Sequence, residues 1–278
     1  MQVRIAVMLT CHNRRLMTQN CLQGLSKQIQ RDLRRQYDIY VYDDYSTDGT
    51  WEMLKTDFAG CHLIRGKGKT YWCTSMYYLM KLALNNTYDF YLMVNDDVSF
   101  FSNAIETMFR AYETASCKCG IVGATRSAGS GEGAYGGRDQ EGKLIAPDGF
   151  LQRCRWADWN CFLVDSDTVK RVGIIDGKYQ HSWGDFDYSD RMFKKGIPLF
   201  LATEYVGTCE TNPNKGTYRD RELGRLKRLR KLFSPKGLPV RSYMRYNAKT
   251  KGVEGVLKGI YGYCSIVGYI LAGKELDG

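Results

Sequence analysis

Short unbroken apolar runs alternate with stretches of helical spacing along most of this chain. Val3 to Thr10, Asp38 to Tyr42, Cys61 to Ile64, Phe90 to Val94, Cys119 to Ala124, Ala157 to Val164 and Pro198 to Ala202 read as strands, most of them buried on both faces of a sheet. Leu16 to Leu33 carries apolar residues at Leu16, Cys21, Leu22, Leu25 and Ile29, the spacing of one helix face. Further helices are expected over Trp51 to Phe58, Thr74 to Leu84, Asn103 to Thr114, Ser166 to Val172 and from Asp185 to Lys195. Strands that alternate with helices imply a mostly parallel central sheet with right-handed crossovers, flanked by helices. Ser127 to Gly149 is polar and rich in glycine, and reads as a long surface loop or hairpin.

Two of these strands end in paired carboxylates. Phe90-Tyr91-Leu92-Met93-Val94 runs straight into Asn95-Asp96-Asp97, and Asp38 to Tyr42 runs into Asp43-Asp44-Tyr45-Ser46-Thr47-Asp48-Gly49-Thr50. The carboxyl ends of parallel strands share one edge of the sheet, where open α/β folds bind ligands. Adjacent carboxylates repel unless a cation lies between them. Mg²⁺ or Mn²⁺ suits that place, because either takes oxygen ligands and leaves positions for phosphate oxygens. The same residues are also good turn formers, so a plain turn is the alternative. Neither Gly-x-Gly-x-x-Gly after the first strand nor a Walker-type Gly-x-x-x-x-Gly-Lys-Ser/Thr is present.

Composition narrows the picture. At 278 residues and 44% hydrophobic, the chain can bury a full core. The ten cysteines are scattered, and Met1-Gln2-Val3-Arg4 leads into a strand without a signal-like run, so reduced thiols and a cytoplasmic location are expected. With three histidines, His12, His62 and His181, a zinc site is not expected. The net charge of +10 is uneven: Lys215 to Lys258 holds fourteen Lys/Arg against three Asp/Glu, and the remainder is close to neutral. We therefore divide the chain into a catalytic domain over 1–212 and a basic, helical extension over 213–278. In the extension, Leu223, Leu226, Leu229 and Leu232 recur every third residue among basic residues, reading as an amphipathic helix from Arg219 to Phe233. Gly259 to Gly273 is apolar and tyrosine-bearing, too short to span a bilayer and suited to lying at its interface. The extension is expected either to meet an anionic membrane surface or to cover the catalytic domain. No nucleic-acid-binding motif accompanies the charge, so nucleic acid is not an expected partner.

Taken together, the acidic turn Asp43-Asp44-Tyr45-Ser46-Thr47-Asp48-Gly49-Thr50, the element Asn95-Asp96-Asp97 and the later Gly184-Asp185-Phe186-Asp187 resemble glycosyltransferase family 2, inverting enzymes of the GT-A fold. The resemblance covers about residues 3 to 210. Gly66-Lys67-Gly68-Lys69-Thr70-Tyr71-Trp72 and Gly184-Asp185-Phe186-Asp187-Tyr188 are similar to the bacterial rhamnosyltransferase-like subset. Two departures stand out: Gly184 replaces the family's preceding acid, and Met76 and Tyr77 stand where members often carry Asn.

The resemblance implies a metal-dependent transfer of a sugar from a nucleotide-diphosphate donor, a dTDP- or UDP-sugar with rhamnose among the options, to a hydroxyl of a lipid-linked or polysaccharide acceptor. Thr10, His12, Asn13, Asp43, Asp44, Arg65, Lys69, Trp72, Asn95 and Asp96 would contact the donor. Asp97, with Asp96, would hold Mn²⁺ or Mg²⁺, a Lewis acid for the leaving diphosphate. Asp185 would be the base that takes the acceptor proton. Trp183, His181 and Asp187 would line the acceptor site, with Asp187 otherwise orienting Arg191 or capping its helix. The peripheral cytoplasmic face of the membrane would be the place of work. The rival readings are a sugar-phosphate nucleotidyltransferase, for which Thr10-Cys11-His12-Asn13-Arg14 lacks the glycine-rich loop, and a non-catalytic protein that binds anionic membranes.

Overall fold

The computed structural model describes residues 2–273. The first half alternates as the sequence pattern requires: β1 (Val3–Cys11), α1 (Arg15–Ile29), β2 (Arg35–Asp43), α2 (Thr50–Asp57), β3 (His62–Arg65), α3 (Tyr71–Ala83) and β4 (Phe90–Asn95). Then come β5 (Ser99–Phe100), α4 (Ala104–Ala115) and β6 (Gly120–Arg126). The glycine-rich stretch holds the short strands β7 (Gly133–Tyr135) and β8 (Gly137–Arg138), followed by β9 (Gln152–Arg153) and β10 (Trp156–Ala157). The core closes with β11 (Cys161–Asp165), α5 (Ser166–Val172), α6 (Gly184–Lys194) and β12 (Leu199–Thr208). The extension forms α7 (Arg225–Phe233) and α8 (Val240–Ala272).

The main sheet runs β3-β2-β1-β4-β11-β6-β12-β5, with β7 on β6 and β9 on β12. β1 pairs in parallel with β2 and β4, β2 with β3, and β6 with β12. β11 is inserted antiparallel between β4 and β6. Two facts follow for the site. Register places Cys11 beside Asp43 and Thr10 beside Asn95, so the acidic strand ends do share one edge. Because β11 runs the other way, the residues that enter it, Asp158 to Asn160, arrive at that same edge, whereas the sequence pattern joins them to one strand over 157–164.

Side-chain alternation explains why the sheet holds two layers of helix. Ile5, Val7 and Leu9 of β1 face a core shared with Leu22 and Leu25 of α1 and Met108 of α4, while Ala6 and Met8 face a second core with Met76 and Leu79 of α3 and Tyr188 of α6. Each such side chain, buried completely, stabilises the fold by about 1.5–3 kcal/mol.

β12 runs in parallel with β6, so the chain beyond Thr208 emerges at the site edge. The extension therefore folds back there. α7 and α8 form a small third core of Leu232, Leu238, Tyr263 and Ile270, with Trp183 packed against it. The amphipathic helix is shorter than the leucine spacing implies: it starts at Arg225, with Leu232 buried and Leu226 75% exposed. A strict three-residue repeat drifts around a 3.6-residue helix, so the leucines do not hold one face. α8 bends at Gly252, whose φ is 58°. The apolar stretch belongs to a helical run from Val253 to Ala272, longer than the segment read from composition. α8 is long and apolar enough to cross a membrane by length and composition.

Candidate active site

The carboxyl edge opens into a cleft of about 930 Å³. Thr10, His12, Arg14, Asp44, Trp72, Asn95, Asp96 and Asp97 line one end, and His181, Trp183 and Asp185 the other. The sequence candidates thus converge on one space, but Asn13, Asp43, Arg65, Lys69 and Asp187 are not in its lining.

The loop after β2 shows why. Asp43 is completely buried, accepts hydrogen bonds from the Ser46 N–H and hydroxyl, and lies 3.4 Å from Arg65 Nη1. Arg65 in turn donates to the Ser46 carbonyl and sits between the rings of Tyr45 and Trp51. These two residues brace the turn from behind. Asn13 clasps the same turn, its N–H donating to Ser46 Oγ and its Oδ1 accepting from the Thr47 N–H. Asp48 accepts from the Thr50 N–H two residues on and from the Arg15 N–H, tying the turn to α1. Lys69 is exposed.

Asp44 does face the cleft, yet its carboxylate already accepts three backbone N–H bonds, from Gly68 at 2.9 Å and from Thr70 and Tyr71 at 2.9 and 3.0 Å. It moulds the Gly66–Tyr71 loop into the start of α3. The loop passes so close that a Cβ on Gly66 would lie 2.6 Å from the Tyr42 ring, and Gly68 has φ of 81°. That is the physical demand behind the Gly-x-Gly spacing. His12 donates from Nδ1 to the Asp44 carbonyl at 2.7 Å, and Trp72 donates its indole N–H to Asn95 Oδ1 at 2.7 Å.

At the end of β4, Arg14 bridges the carboxylate pair, with Nη1 3.1 Å from Asp96 Oδ1 and 2.7 Å from Asp97 Oδ2. Thr18 donates to the second oxygen of Asp96. Burial, opposed by Arg14 and reinforced by Asp97, pushes the Asp96 carboxyl up to about 6. Asp97 Oδ1 is buried and has no hydrogen-bond partner among the described residues. A carboxylate pair that lines a cleft, one of its buried oxygens without a hydrogen bond among the described residues, suits a hard divalent cation. No cluster of three or more His, Cys, Asp or Glu occurs among the described residues.

The opposite end is built by the entry into α6. Trp183 has φ of 79° and precedes Gly184, where a Cβ would lie 2.3 Å from Cys73 Sγ. The helix start is pressed against α3, so no acidic side chain fits at 184. Asp185 is partly buried, takes one hydrogen bond from the Phe186 N–H, and has no ion pair among the described residues. Burial first, then the neighbouring Asp158, pushes its carboxyl up to about 7. A carboxylate poised there suits general-base work at neutral pH. Asp187, two residues on and on the other side of the helix from Asp185, is 2% exposed and fully engaged by Arg191, Tyr179 and Lys249.

A family model described as glycosyl transferase family 2 matches residues 6–175. The chain belongs to that family. It is a glycosyltransferase, and its mostly parallel α/β architecture is that of the GT-A enzymes. Among solved structures, it is similar to the mannosyltransferase PcManGT from Pyrobaculum calidifontis in complex with GDP-Man and Mn2+, with 13% identity, a TM-score of 0.56, and coverage of 98% of this chain and 74% of that one. It is likewise similar to residues 1-349 of S. aureus TarS in complex with UDP-GlcNAc, with 11% identity, a TM-score of 0.57, and coverage of 98% and 93%. No curated protein sequence matches it.

Two cleft residues of this glycosyltransferase escape sequence reasoning. Arg14 lies in the first loop, and nothing in its own segment signals that it will reach Asp96 and Asp97, more than eighty positions away. Asp158 is buried, paired with Arg138 at 3.0 Å, and hydrogen-bonded to the Gly136 N–H. It lines the cleft only because β11 is antiparallel.

Proposed function

We propose that this glycosyltransferase moves a sugar from a nucleotide-diphosphate donor to a hydroxyl of a lipid-linked or polysaccharide acceptor, with inversion at the transferred carbon and dependence on Mn²⁺ or Mg²⁺. The observation that carries this reading is the cleft itself: the Asp96–Asp97 pair, with its orphaned oxygen, stands at one end, and Asp185, with its raised pKa, at the other. The ligands bound in the two similar structures, GDP-Man with Mn2+ and UDP-GlcNAc, support a donor of this class.

Each residue then has a task. Thr10, His12, Asp44 and Trp72 shape the walls around the nucleotide. Asp97 and Asp96 would hold the cation, which when bound supplies Lewis-acid stabilisation of the leaving diphosphate. Arg14 offsets half the charge of the carboxylate pair and adds a second positive group at that end. Asp185 accepts the proton of the acceptor hydroxyl as its oxygen bonds to the anomeric carbon and the carbon–oxygen bond to the diphosphate breaks. A single displacement from the opposite face inverts that carbon. The Gly66–Trp72 and Gly184–Tyr188 motifs favour a dTDP- or UDP-sugar, with rhamnose the first to try. A screen of nucleotide sugars for metal-dependent hydrolysis and thermal stabilisation tests the reading. Failure of every nucleotide sugar to stabilise the chain with either metal would refute it.

The outer face of α8 favours a peripheral membrane role on the cytoplasmic side. Val253, Leu257 and Tyr261 recur four apart and are 78%, 63% and 77% exposed. The helix from Val253 to Ala272 is about 30 Å long, at ~1.5 Å per residue. All ten cysteines are unpaired, in keeping with a reducing compartment.

A further inference from the structure

The basic extension sorts its cations into two kinds. One kind anchors it to the catalytic body. Arg245 pairs with Asp176 at 2.7 Å, Lys249 with Asp176 and Asp187, and Arg228 is buried against the Tyr218 carbonyl. The other kind stands on the cleft. Residues 212–218 and 231–237 fold over the carboxyl edge as its outer wall and bring Lys215, Lys231 and Lys236 into the lining. All three are exposed, and none has an ion pair with a described residue.

This wall reaches the Asp185 side of the cleft. Trp183, two residues before Asp185, packs against the core that contains Leu232, next to Lys231, and Leu238, two residues beyond Lys236. His181 is also in the lining. Burial first, then Lys236 and Arg14, holds its imidazole down to about 4, so it is neutral at pH 7 and adds no competing charge. Its Nδ1 is buried and has no partner among the described residues. Lys231 and Lys236, with Lys215 partly offset by Asp220, form a cationic mouth to the cleft that draws an anion. The leaving diphosphate already has Arg14 and the Asp96–Asp97 end.

We infer that Lys215, Lys231 and Lys236 bind a phosphate group carried by the acceptor, so that this enzyme glycosylates an anionic, phosphate-bearing glycan or glycolipid. The inference rests on the assignment of the Asp185 end of the cleft to the acceptor.

The test is calorimetric titration of the full chain in EDTA, where Arg14 remains on its carboxylates and the wall is the open cationic surface of the cleft. The probes are geranyl diphosphate, for a lipid headgroup, and glucose 6-phosphate, for a phosphorylated glycan, with maltose as the neutral control. The chain should bind one or both phosphates more tightly than maltose, and the better probe identifies the source. K231A/K236A should weaken that binding by about tenfold, and K231R/K236R should restore most of it. Affinity for nucleotide with Mn²⁺ should change less than about twofold. Phosphates bound no better than maltose, or equal binding by the alanine variant, would overturn the inference. So would an equal loss of nucleotide affinity, which would place the lysines at the donor end. Absence of sugar transfer would count against the proposed reaction without moving these affinities.

Discussion

Arg14 Nη1 donates to Asp97 Oδ2 at 2.7 Å, while the other oxygen of Asp97 is buried with no hydrogen-bond partner among the described residues. One guanidinium thus offsets half the charge of a carboxylate pair, and in the proposed reaction the remainder would meet the cation. Asp97→Asn should abolish transfer and weaken Mn²⁺-assisted nucleotide binding while the fold stays intact by circular dichroism. Unchanged turnover would remove the metal from the proposed reaction. Arg14→Gln should raise the Asp96 pKa further, because Arg14 is the largest influence that lowers it. The pH midpoint for Mn²⁺ binding, governed by ionisation of a carboxyl near 6, should then move to higher pH.

Asp185 gives a pH prediction with a definite sign. A base must be ionised, so kcat should rise with pH through about 7. Asp185→Asn should lower kcat by on the order of 10²–10⁴-fold and flatten that limb, with donor affinity nearly unchanged. Stability moves the other way. The folded pKa lies above the unfolded value, so the protonated form's contribution is complete below the unfolded pKa and is lost as pH rises through about 7. The Asn variant should therefore melt higher than the parent at pH 8, with the difference fading near pH 4. Loss of donor binding with kcat retained would assign Asp185 to the donor pocket.

Asp44 is predicted to matter for the loop before it matters for the nucleotide. Replacing it with Ala orphans the N–H groups of Gly68, Thr70 and Tyr71. At about 0.5–1.5 kcal/mol for each of these half-buried hydrogen bonds, urea unfolding should show a loss of about 2 kcal/mol or more. Asp44→Asn, which keeps one acceptor oxygen, should lose less. If Asp44→Ala unfolded at the parent's urea concentration but bound nucleotide weakly, direct ligand contact would be its main role.

The membrane reading is tested on the outer face of α8. Ser at Val253, Leu257 and Tyr261 together should reduce the salt-resistant part of binding to anionic vesicles, because apolar insertion survives screening and surface charge does not. Transfer to a soluble acceptor should be unchanged, since none of the three lines the cleft. Equal vesicle binding by variant and parent would remove the membrane role. Truncation at Asn212 is a poorer test, because it also removes Lys215, Lys231 and Lys236 from the cleft wall.

The sequence by itself determined the alternation of strands and helices, the convergence of Asp44 and Asp96–Asp97 at one sheet edge, and the carboxylate at 185. Those features are local: apolar periodicity sets the elements, and parallel pairing sends their carboxyl ends to the same side. The direction of β11 was not legible, because a buried strand is apolar on both faces whichever way it runs. With it went Asp158, and with the fold of the first loop went Arg14. Asp43 and Asp187 carry the same chemistry as Asp44 and Asp185, and only packing turned their carboxylates away from the cleft, towards Ser46 and Arg65 in one case and Arg191 and Lys249 in the other. The basic extension posed the same problem of charge. Composition counts its lysines and arginines alike, whereas the tertiary fold pairs Arg245 and Lys249 with Asp176 and Asp187 and leaves Lys231 and Lys236 lining the cleft.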